Sequence, residues 1–165
     1  MKNEPVRAYI SLGSNLGDSR AILEQAMVRL QGLSAAPIQR SSLWRTTPVN
    51  CPPGSPDFVN AVTAIVPLPG ETPESLLGKL RVLEAQAGRV AKRVANEPRL
   101  LDLDLIAFGE EKRDTTELTL PHRQAHVRRF VLEPLAEIAP ELVLPGQTMT
   151  VRELLAGCAG SVRRA

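Results

Sequence analysis

The chain has 165 residues, of which 43% are hydrophobic and 23% are charged, and both fractions are ordinary for one globular domain, expected to span residues 1–165. Its 20 lysines and arginines against 18 aspartates and glutamates leave a net charge of +2, which excludes binding to nucleic acid or membranes through overall charge. No run approaches the roughly 18 apolar residues of a membrane helix, and Cys51 and Cys158 have neither zinc nor redox spacing, so we expect a cytoplasmic protein.

The first half of the chain predicts strands and one helix. A strand is predicted at residues 6–13 and is followed by a turn and a helix. The apolar residues of this helix recur at helical spacing and are Leu23, Ala26, Met27 and Leu30. Further strands are predicted at about 38–46 and at 58–66. A proline-rich loop at 48–56 separates them, because proline lacks the donor that a central strand needs.

The second half predicts another helix and another strand before the pattern changes. Thr72 is the expected N-cap of a helix at about residues 73–88. A fourth strand follows at 101–108, so the order β-α-β-β-α-β predicts an α+β protein with the ferredoxin-like split βαβ arrangement. A C-terminal helical appendage is expected beyond it. Its parts are a short strand pair through Thr119 and Leu120 and two helices near 128–138 and 150–156.

The fourth strand has the strongest chemical signal. Leu101, Leu103 and Leu105 alternate with Asp102 and Asp104, which gives the strand an apolar face and an acidic face. Successive residues on one face are about 6.6 Å apart, so both carboxylates can reach the same ions. Magnesium takes carboxylate oxygens together with substrate phosphates, and aspartate is depleted in ordinary strands. The pattern therefore predicts metal ligands, with a half-exposed strand whose polar face lies in water as the alternative.

Clusters of cations flank this acidic strand. The upstream cluster is Arg89, Lys92, Arg93 and Arg99, and the downstream segment 121–130 contains both histidines and three arginines. Arginine binds phosphate oxygens through its planar fork. Each cluster alone is typical of a solvated surface, but both clusters around an acidic pair indicate a polyphosphate site. Gly13 and Gly17 lack the pattern of a P-loop and indicate a tight turn, so phosphate binding must depend on side chains and metal.

An ordered set of motifs resembles the 6-hydroxymethyl-7,8-dihydropterin pyrophosphokinase family of folate biosynthesis across nearly the whole chain. The motifs lie at residues 8–17, 41–49, 56–61, 84–89, 98–104, 120–122 and 128–130. The resemblance implies a ferredoxin-like fold and transfer of the β,γ-pyrophosphoryl group of ATP to the pterin hydroxymethyl group, with two Mg²⁺ ions. We also expect a monomer that acts on these small molecules and has no nucleic-acid or membrane partner.

The resemblance also implies roles for single residues. Asp102 and Asp104 match the ligands of both Mg²⁺ ions, and Asp102 also matches a position near the attacking hydroxyl. The positions matched to the nucleotide are Arg99, His122 and Arg128, with Leu77, Glu84 and Thr119 as weaker candidates. Arg89 matches an arginine of a mobile loop at 89–98. The catalytic candidates are Arg89, Arg99, Asp102 and Asp104. The positions matched to the pterin are the aromatic pair Phe58 and Phe130, the amide of Asn60, and the backbone of Thr47 and Val49.

Departures from the family pattern concentrate in the loop at 89–98. Ala91 and Asn96 stand where some members have an arginine and a tryptophan, whereas Arg123 and His126 are interpreted as surface positions. Two other classes stay open, namely an RNA-binding module and a regulatory domain for a small ligand. The strands lack the clustered aromatic residues that stack on RNA bases, and a regulatory domain needs no acidic pair between arginines. Magnesium dependence of nucleotide binding separates the three hypotheses.

Overall fold

The computed structural model describes residues 4–47, 53–54, 56–88 and 100–165, which form antiparallel strands and helices. The strands are β1 (Ala8–Ser14), β2 (Gln39–Arg40), β3 (Trp44–Thr46), β4 (Phe58–Ile65), β5 (Asp102–Phe108), β6 (Arg113–Asp114), β7 (Thr119–Leu120) and β8 (Arg163–Arg164). The helices are α1 (Ser19–Gln31), α2 (Pro73–Gln86), α3 (Arg129–Ile138) and α4 (Val151–Ala156), with a 3-10 helix at Ala125–Val127. Among the described residues, none of the helices combines the length and the apolar character needed to span a bilayer.

Strand β1 is the centre of the main sheet. It pairs antiparallel with β4 on one side and with β5 on the other, and all of its residues are buried. The sheet continues from β4 to β3 and β8, so the strand order is β5-β1-β4-β3-β8, and β2 also pairs with β4. Strands β6 and β7 form a separate pair. Strand β5, which contains both aspartates, is therefore an edge strand of the main sheet.

Different helices cover the two faces of the main sheet, because side chains alternate between faces along each strand. On β4, Ala61 and Ile65 face a core that contains the buried residues of α1 and α2. Val62 and Ala64 face a second core that contains the buried residues of α3 and α4. Polar residues share this second face but lie outside its apolar core, towards the end of the sheet where β5 begins. They are Ser11, Asn60, Asp102 and Asp104.

Most of the predicted strands and helices are confirmed, with ends that differ by one or two residues. Helix α2 begins at Pro73 with Thr72 as its N-cap, as predicted. The N–H of Ser75 donates to the Thr72 hydroxyl at 3.0 Å, and the N–H of Thr72 donates to the Ser75 hydroxyl at 2.9 Å. This capping box satisfies two N–H groups that the helix itself leaves without partners.

The predicted strand at 38–46 is instead divided into β2 and β3. The N–H of Ser41 donates to the carbonyl of Val62 at 2.9 Å, as in a regular ladder. The N–H of Val62, however, donates to the hydroxyl of Ser41 at 2.9 Å rather than to a carbonyl. The serine side chain thus replaces a backbone partner and interrupts the ladder between the two short strands.

The segment after β5 contains the predicted strands and helices and one further strand, β8, that was not predicted. The predicted strand pair and both predicted helices are present, and α3 and α4 pack on the second face of the sheet. The sequence pattern does not predict β8, whose residues Arg163 and Arg164 pair with Arg45 and Trp44 of β3. Two consecutive arginines provide no apolar alternation, so this strand depends on tertiary contacts that the local sequence does not reveal.

Candidate active site

Asp102 and Asp104 lie on the same face of β5, as the alternation predicts. The leucines that alternate with them are buried in the core beneath the sheet, which directs both carboxylates to the opposite face. Each aspartate is only partly buried, and their partners on β1 are Gly13 and Ser11. The two carboxylates therefore share one accessible patch at the edge of the sheet.

A row of four residues crosses the sheet from this patch to β3. The register aligns Asp102, Gly13, Asn60 and Trp44 on β5, β1, β4 and β3. At about 4.8 Å between strands, Asp102 and Asn60 are roughly 10 Å apart along the row. A Cβ atom added to Gly13 would lie 3.2 Å from Oδ1 of Asn60 and 3.8 Å from Cδ1 of Phe58. Gly13 is buried but has no side chain, so the side chains of Asn60 and Phe58 lie close to its backbone and no side chain of β1 separates Asp102 from Asn60. We call this part of the sheet face the floor of the site.

The negative charge of the acidic pair is unfavourable in the free protein. Burial, and then the neighbouring charge of Asp102, raise the pKa of Asp104 to about 6. The positive charges of Arg81 and Arg128 act in the opposite direction and lower this pKa. Near pH 7 two carboxylates therefore face each other in a partly desolvated position, which favours binding of a cation.

The available donors suit a metal ion that completes its coordination with ligand oxygens. Within the described ranges, no group of three or more His, Cys, Asp or Glu side chains is placed to hold a metal ion. Magnesium typically takes one or two carboxylates and fills its other positions with water and phosphate oxygens, whereas a structural zinc site needs four protein ligands. Asp102 and Asp104 thus fit Mg²⁺ bound together with a phosphate chain.

Two residues of α2 bind the backbone between the two aspartates. The carboxylate of Glu84, which is 1% exposed, accepts the N–H of Leu103 at 2.8 Å. The guanidinium of Arg81 donates to the carbonyl of Leu103 at 3.0 Å and to Glu84 at 2.5 Å. Because β5 is an edge strand of the sheet that the described residues form, these backbone groups have no strand partner on that side within the described part of the chain. Arg81 and Glu84 take the place of the missing strand, and we call them the edge clamp.

A cavity of about 230 Å³ adjoins Asp104. Three of the predicted nucleotide residues line it, namely Leu77, Thr119 and His122, and so do Arg81 and Arg123. Arg123 was interpreted from the sequence as a surface position; it is exposed, but it also borders this cavity. The cavity combines an apolar wall with cations next to the acidic pair, as a nucleoside phosphate requires.

Hydrogen bonds determine the orientation of His122 within this cavity. Its backbone N–H donates to the carbonyl of Ile106 at 2.8 Å, and its Nδ1 accepts the N–H of Gln124 at 3.2 Å. Burial lowers the pKa of His122, the charge of Arg128 lowers it further, and Asp102 raises it. The ring is therefore neutral at pH 7 with its proton on Nε2, where it can be donated to a phosphate oxygen.

Aromatic and amide groups lie at the other end of the floor of the site. Phe58 and Asn60 lie on β4, and Phe130 is at the start of α3, which packs on β4. The guanidinium of Arg128 lies 5.4 Å from the centre of the Phe130 ring. Asn60 is 4% exposed, and its Nδ2 donates to the hydroxyl of Thr46 at 2.9 Å. Aromatic faces and a fixed amide suit a flat ring with an amide-like edge.

Some predicted site residues lie elsewhere or beyond the described part of the chain. Glu84 is buried in the edge clamp and does not line the cavity next to Asp104. Thr47 directly follows β3 and is exposed. Arg89, Arg99 and Val49, together with most of the two predicted loops at 48–56 and 89–98, lie outside the described residues.

Three residues that contribute to this geometry were missed by the sequence analysis. Arg81 precedes Glu84 by three residues on α2, a spacing that places both on one face of the helix. Gly13 was predicted as the last residue of the first strand and, with Gly17, as part of a tight turn, but not as a site residue; it lies within β1, and Gly17 has a φ of +74°. Thr46, and not Thr47, shares a face with Asn60, which strand alternation could have indicated.

A larger cavity, of about 340 Å³, lies beside the turn between β1 and α1. Charges of both signs line it, from Asp18, Arg20, Arg45 and Asp57. It contains none of the predicted site residues, and size alone does not indicate chemistry. The smaller cavity next to the acidic pair is the better candidate for the active site.

Comparison with known proteins identifies relatives that match most of the chain. The family model described as 7,8-dihydro-6-hydroxymethylpterin-pyrophosphokinase matches residues 9–140. A 2-amino-4-hydroxy-6-hydroxymethyldihydropteridine pyrophosphokinase of Methylorubrum extorquens is 43% identical over 157 residues, covering 91% of this chain and 92% of the relative. The protein of the same name from Pseudomonas aeruginosa is 39% identical over 156 residues, covering 92% of this chain and 91% of the relative.

Solved structures show a similar fold at low sequence identity. A Plasmodium falciparum protein named HPPK-DHPS aligns with a TM-score of 0.71 and 15% identity, covering 94% of this chain and 46% of that one. Another structure of an HPPK-DHPS, in complex with substrates, gives a TM-score of 0.72 and 13% identity, covering 93% of this chain and 43% of that one. The chain thus spans less than half of these larger proteins, and the likeness extends to the fold alone.

Replacing Asp104 with asparagine should stabilise the metal-free protein near neutral pH. Because folding raises the pKa of Asp104 from 3.8 to about 6, its ionisation opposes folding above about pH 6, and this cost disappears as the pH falls towards 3.8. We expect Asp104→Asn to increase the free energy of unfolding by up to about 3 kcal/mol at pH 7.5, and by about a third of that at pH 4.5. Urea unfolding in EDTA at both pH values measures this difference.

The matched control is Asp114→Asn, which changes an exposed aspartate of β6. Asp114→Asn should change the free energy of unfolding only slightly at both pH values. An equal effect of Asp104→Asn at pH 7.5 and pH 4.5 would contradict the electrostatic account of the acidic pair.

Proposed function

Because this chain belongs to the 7,8-dihydro-6-hydroxymethylpterin-pyrophosphokinase family, it is an ATP-dependent diphosphotransferase, and we propose that its reaction takes place over the floor of the site, between Asp102 and Asn60. The reaction transfers the β,γ-pyrophosphoryl group of ATP to 6-hydroxymethyl-7,8-dihydropterin, giving the pterin diphosphate and AMP, and it belongs to folate biosynthesis. The observation that supports this location best is the acidic pair of β5, which lies between a cavity lined with cations and the aromatic and amide groups of the floor.

We propose that Asp102 and Asp104 hold two Mg²⁺ ions together with the phosphate oxygens of ATP. When bound, these ions supply electrostatic stabilisation of the transferred group and of the attacking and leaving oxygens. Asp102 and Asp104 lie next to each other on one face of β5, and the edge clamp holds the backbone of Leu103 between them. Phosphoryl transfer leaves little covalent work for the protein, so this rigidity is the main contribution of β5.

The nucleotide is proposed to occupy the cavity next to Asp104. His122 would donate its Nε2 proton to a phosphate oxygen, and the guanidinium of Arg128 would bind the phosphates from the side of α3. Leu77 and Thr119 would contact the nucleoside, and Arg81 would add a further cation. For Glu84 we propose a different role, since its carboxylate binds Leu103: it positions the metal strand rather than contacting ATP.

The acceptor is proposed to lie over Gly13, against the side chains of β4 and α3. Phe58 and Phe130 would contact the pterin ring, and the free amide positions of Asn60 would bind its amide-like edge. The hydroxymethyl oxygen then points along the row towards Asp102, at a distance that the strand spacing determines. From the resemblance alone we add backbone contacts of Thr47 and Val49 and catalytic roles for Arg89 and Arg99.

We also propose that residues 1–165 form one domain with a ferredoxin-like split βαβ core and a C-terminal helical appendage. The strand order β5-β1-β4-β3, with α1 and α2 on one face, supports this assignment. The protein is proposed to be a cytoplasmic monomer that acts on small molecules, and its balanced charge disfavours binding to nucleic acid or membranes. Two aspartates on the open face disfavour the RNA-binding alternative, because they repel a phosphate backbone in the absence of metal.

The purified protein should produce AMP and the pterin diphosphate from ATP and 6-hydroxymethyl-7,8-dihydropterin only when Mg²⁺ is present. Asp102→Asn and Asp104→Asn should each lower turnover by several orders of magnitude, because loss of an ion or its placement removes several kcal/mol of transition-state stabilisation. Chromatographic product analysis measures both effects, and Asp114→Asn serves as the control. Formation of ADP, or near-normal turnover of either variant at saturating Mg²⁺, would contradict the proposal.

His122→Ala and Arg128→Ala should weaken ATP use by about ten- to a hundredfold in kcat/KM, since each removes a hydrogen-bond donor to the phosphates. The matched controls are His126→Ala and Arg152→Ala, which change a histidine outside the cavity and an exposed arginine paired with Glu141. Steady-state kinetics at varied ATP provide the measurement. Losses in the controls as large as those in the test variants would mean that the cavity is not the nucleotide site.

Glu84→Gln should reduce turnover by about tenfold and raise the Mg²⁺ concentration needed for half-maximal activity, because it weakens the edge clamp at Leu103. Urea unfolding should also show a loss of stability of about 1–3 kcal/mol. Glu141→Gln, at an exposed ion pair with Arg152, is the control. A stability loss with an unchanged Mg²⁺ requirement would show that the clamp stabilises the fold without positioning the metal strand.

A further inference from the structure

Glu137, near the end of α3, accepts hydrogen bonds from Ser42, which precedes β3, and from Trp44, the first residue of β3. Its carboxylate accepts the N–H of Ser42 at 3.2 Å, the hydroxyl of Ser42 at 2.8 Å and the indole N–H of Trp44 at 2.5 Å. Only 24% of the Glu137 side chain is exposed. Three donors on one carboxylate fix the position of β3 relative to α3 far better than an exposed ion pair does.

Strand β8 supports the same strand from its outer edge. The N–H of Ala165 donates to the carbonyl of Leu43 at 2.9 Å. The guanidinium of Arg164 lies 5.2 Å from the centre of the Trp44 ring and 3.7 Å from the carboxylate of Glu137. Strand β8 lies beyond residues 9–140, so the family match does not account for this support.

Strand β3 depends on these contacts because it is short. It contains only Trp44–Thr46, and the interruption at Ser41 separates it from β2. Three residues form few ladder hydrogen bonds, and an edge strand of this length is weakly held. Strand β3 lies between β4 and β8 in the sheet, and Glu137 of α3 binds it from one face. These contacts fix its position.

The position of β3 affects the proposed acceptor site through Thr46. Trp44 and Thr46 share a face of β3, and their partners on β4 are Asn60 and Phe58. The hydroxyl of Thr46 accepts the Nδ2 proton of Asn60 at 2.9 Å, which is a diagonal contact between the two strands. A displacement of β3 would therefore change the orientation of the Asn60 amide.

We propose that Glu137 is a positioning residue for pterin recognition, and that β8 shares this role. Both hold β3, which places the Thr46 hydroxyl, and Thr46 orients the amide of Asn60 towards the pterin. This inference rests on the proposed function, because it requires Asn60 to bind the pterin. Among the described residues, Glu137 contacts none of the groups assigned to ATP, so its effect should be confined to the acceptor.

The test is a comparison of Michaelis constants for the two substrates in the full-length protein. Glu137→Ala should raise the KM for 6-hydroxymethyl-7,8-dihydropterin about tenfold, while the KM for ATP and kcat at saturation stay within about twofold. Arg164→Ala, an exposed and readily tolerated change, should raise the pterin KM about two- to threefold. Glu141→Ala is the control, since this exposed glutamate pairs only with Arg152 among the described residues, and all constants should remain unchanged.

Trp44 provides a direct readout because it is the only tryptophan of the sequence. Its emission in the free protein should shift in Glu137→Ala and in Arg164→Ala, and stay unchanged in Glu141→Ala. In a Thr46→Val background, Glu137→Ala should raise the pterin KM by less than about twofold further, because both changes act through Asn60. If Glu137→Ala does not fold, Glu137→Gln and Arg164→Ala provide the same comparison.

Asn60→Ala separates failure of this inference from failure of the proposed function. If Asn60→Ala raises the pterin KM but the Glu137 and Arg164 variants do not, the inference is overturned and the acceptor assignment stands. An unchanged pterin KM in Asn60→Ala overturns both. Equal changes in the constants for both substrates in Glu137→Ala would indicate a general structural effect and would also overturn the inference.

Discussion

The repulsion between Asp102 and Asp104 is the constraint on which the rest of the site depends. Burial and mutual charge raise the pKa of Asp104, so the free protein holds the pair at an energetic cost. The fold tolerates this cost because leucines on the other face anchor β5 in the core and because the edge clamp binds Leu103 between the two carboxylates. The same rigidity that prevents the carboxylates from separating is what a site for a cation and a phosphate chain requires.

The elements that determine the site were largely predictable from local pattern. Alternation in residues 101–105 placed both aspartates on one face, and Thr72 and Pro73 marked the start of α2 correctly. These features depend on side-chain periodicity and on capping, both of which are encoded within a few residues of sequence. The assignment of His122 to the ATP phosphates came from the family resemblance and stays a prediction, and the structure places His122 in the lining of the cavity beside Asp104.

Features that depend on distant contacts were not predictable in this way. The hydroxyl of Ser41 replaces a carbonyl in the ladder and divides a strand whose composition looks continuous. Strand β8 pairs with the outer edge of β3, and Glu84 accepts the backbone N–H of Leu103 on β5. In each case the deciding partner lies at least 19 residues away along the chain. Local sequence therefore indicates which residues are polar but not which backbone group each one satisfies.

Strand β1 lies between the acidic pair of β5 and the aromatic and amide residues of β4, so separate contacts hold these two parts of the site in place. Gly13 lies on this strand, with the acidic pair on one neighbouring strand and Asn60 on the other. The clamp on β5 and the support of β3 by Glu137 lie on opposite sides of β1 in the sheet, and the hydrogen bonds given for them among the described residues involve different side chains. If the proposed acceptor site is correct, sequence changes around β3 would alter which acceptor ring is bound while the geometry of the acidic strand is preserved. The protein would then be a starting point for engineering new acceptors, with substitutions around β3 introduced first.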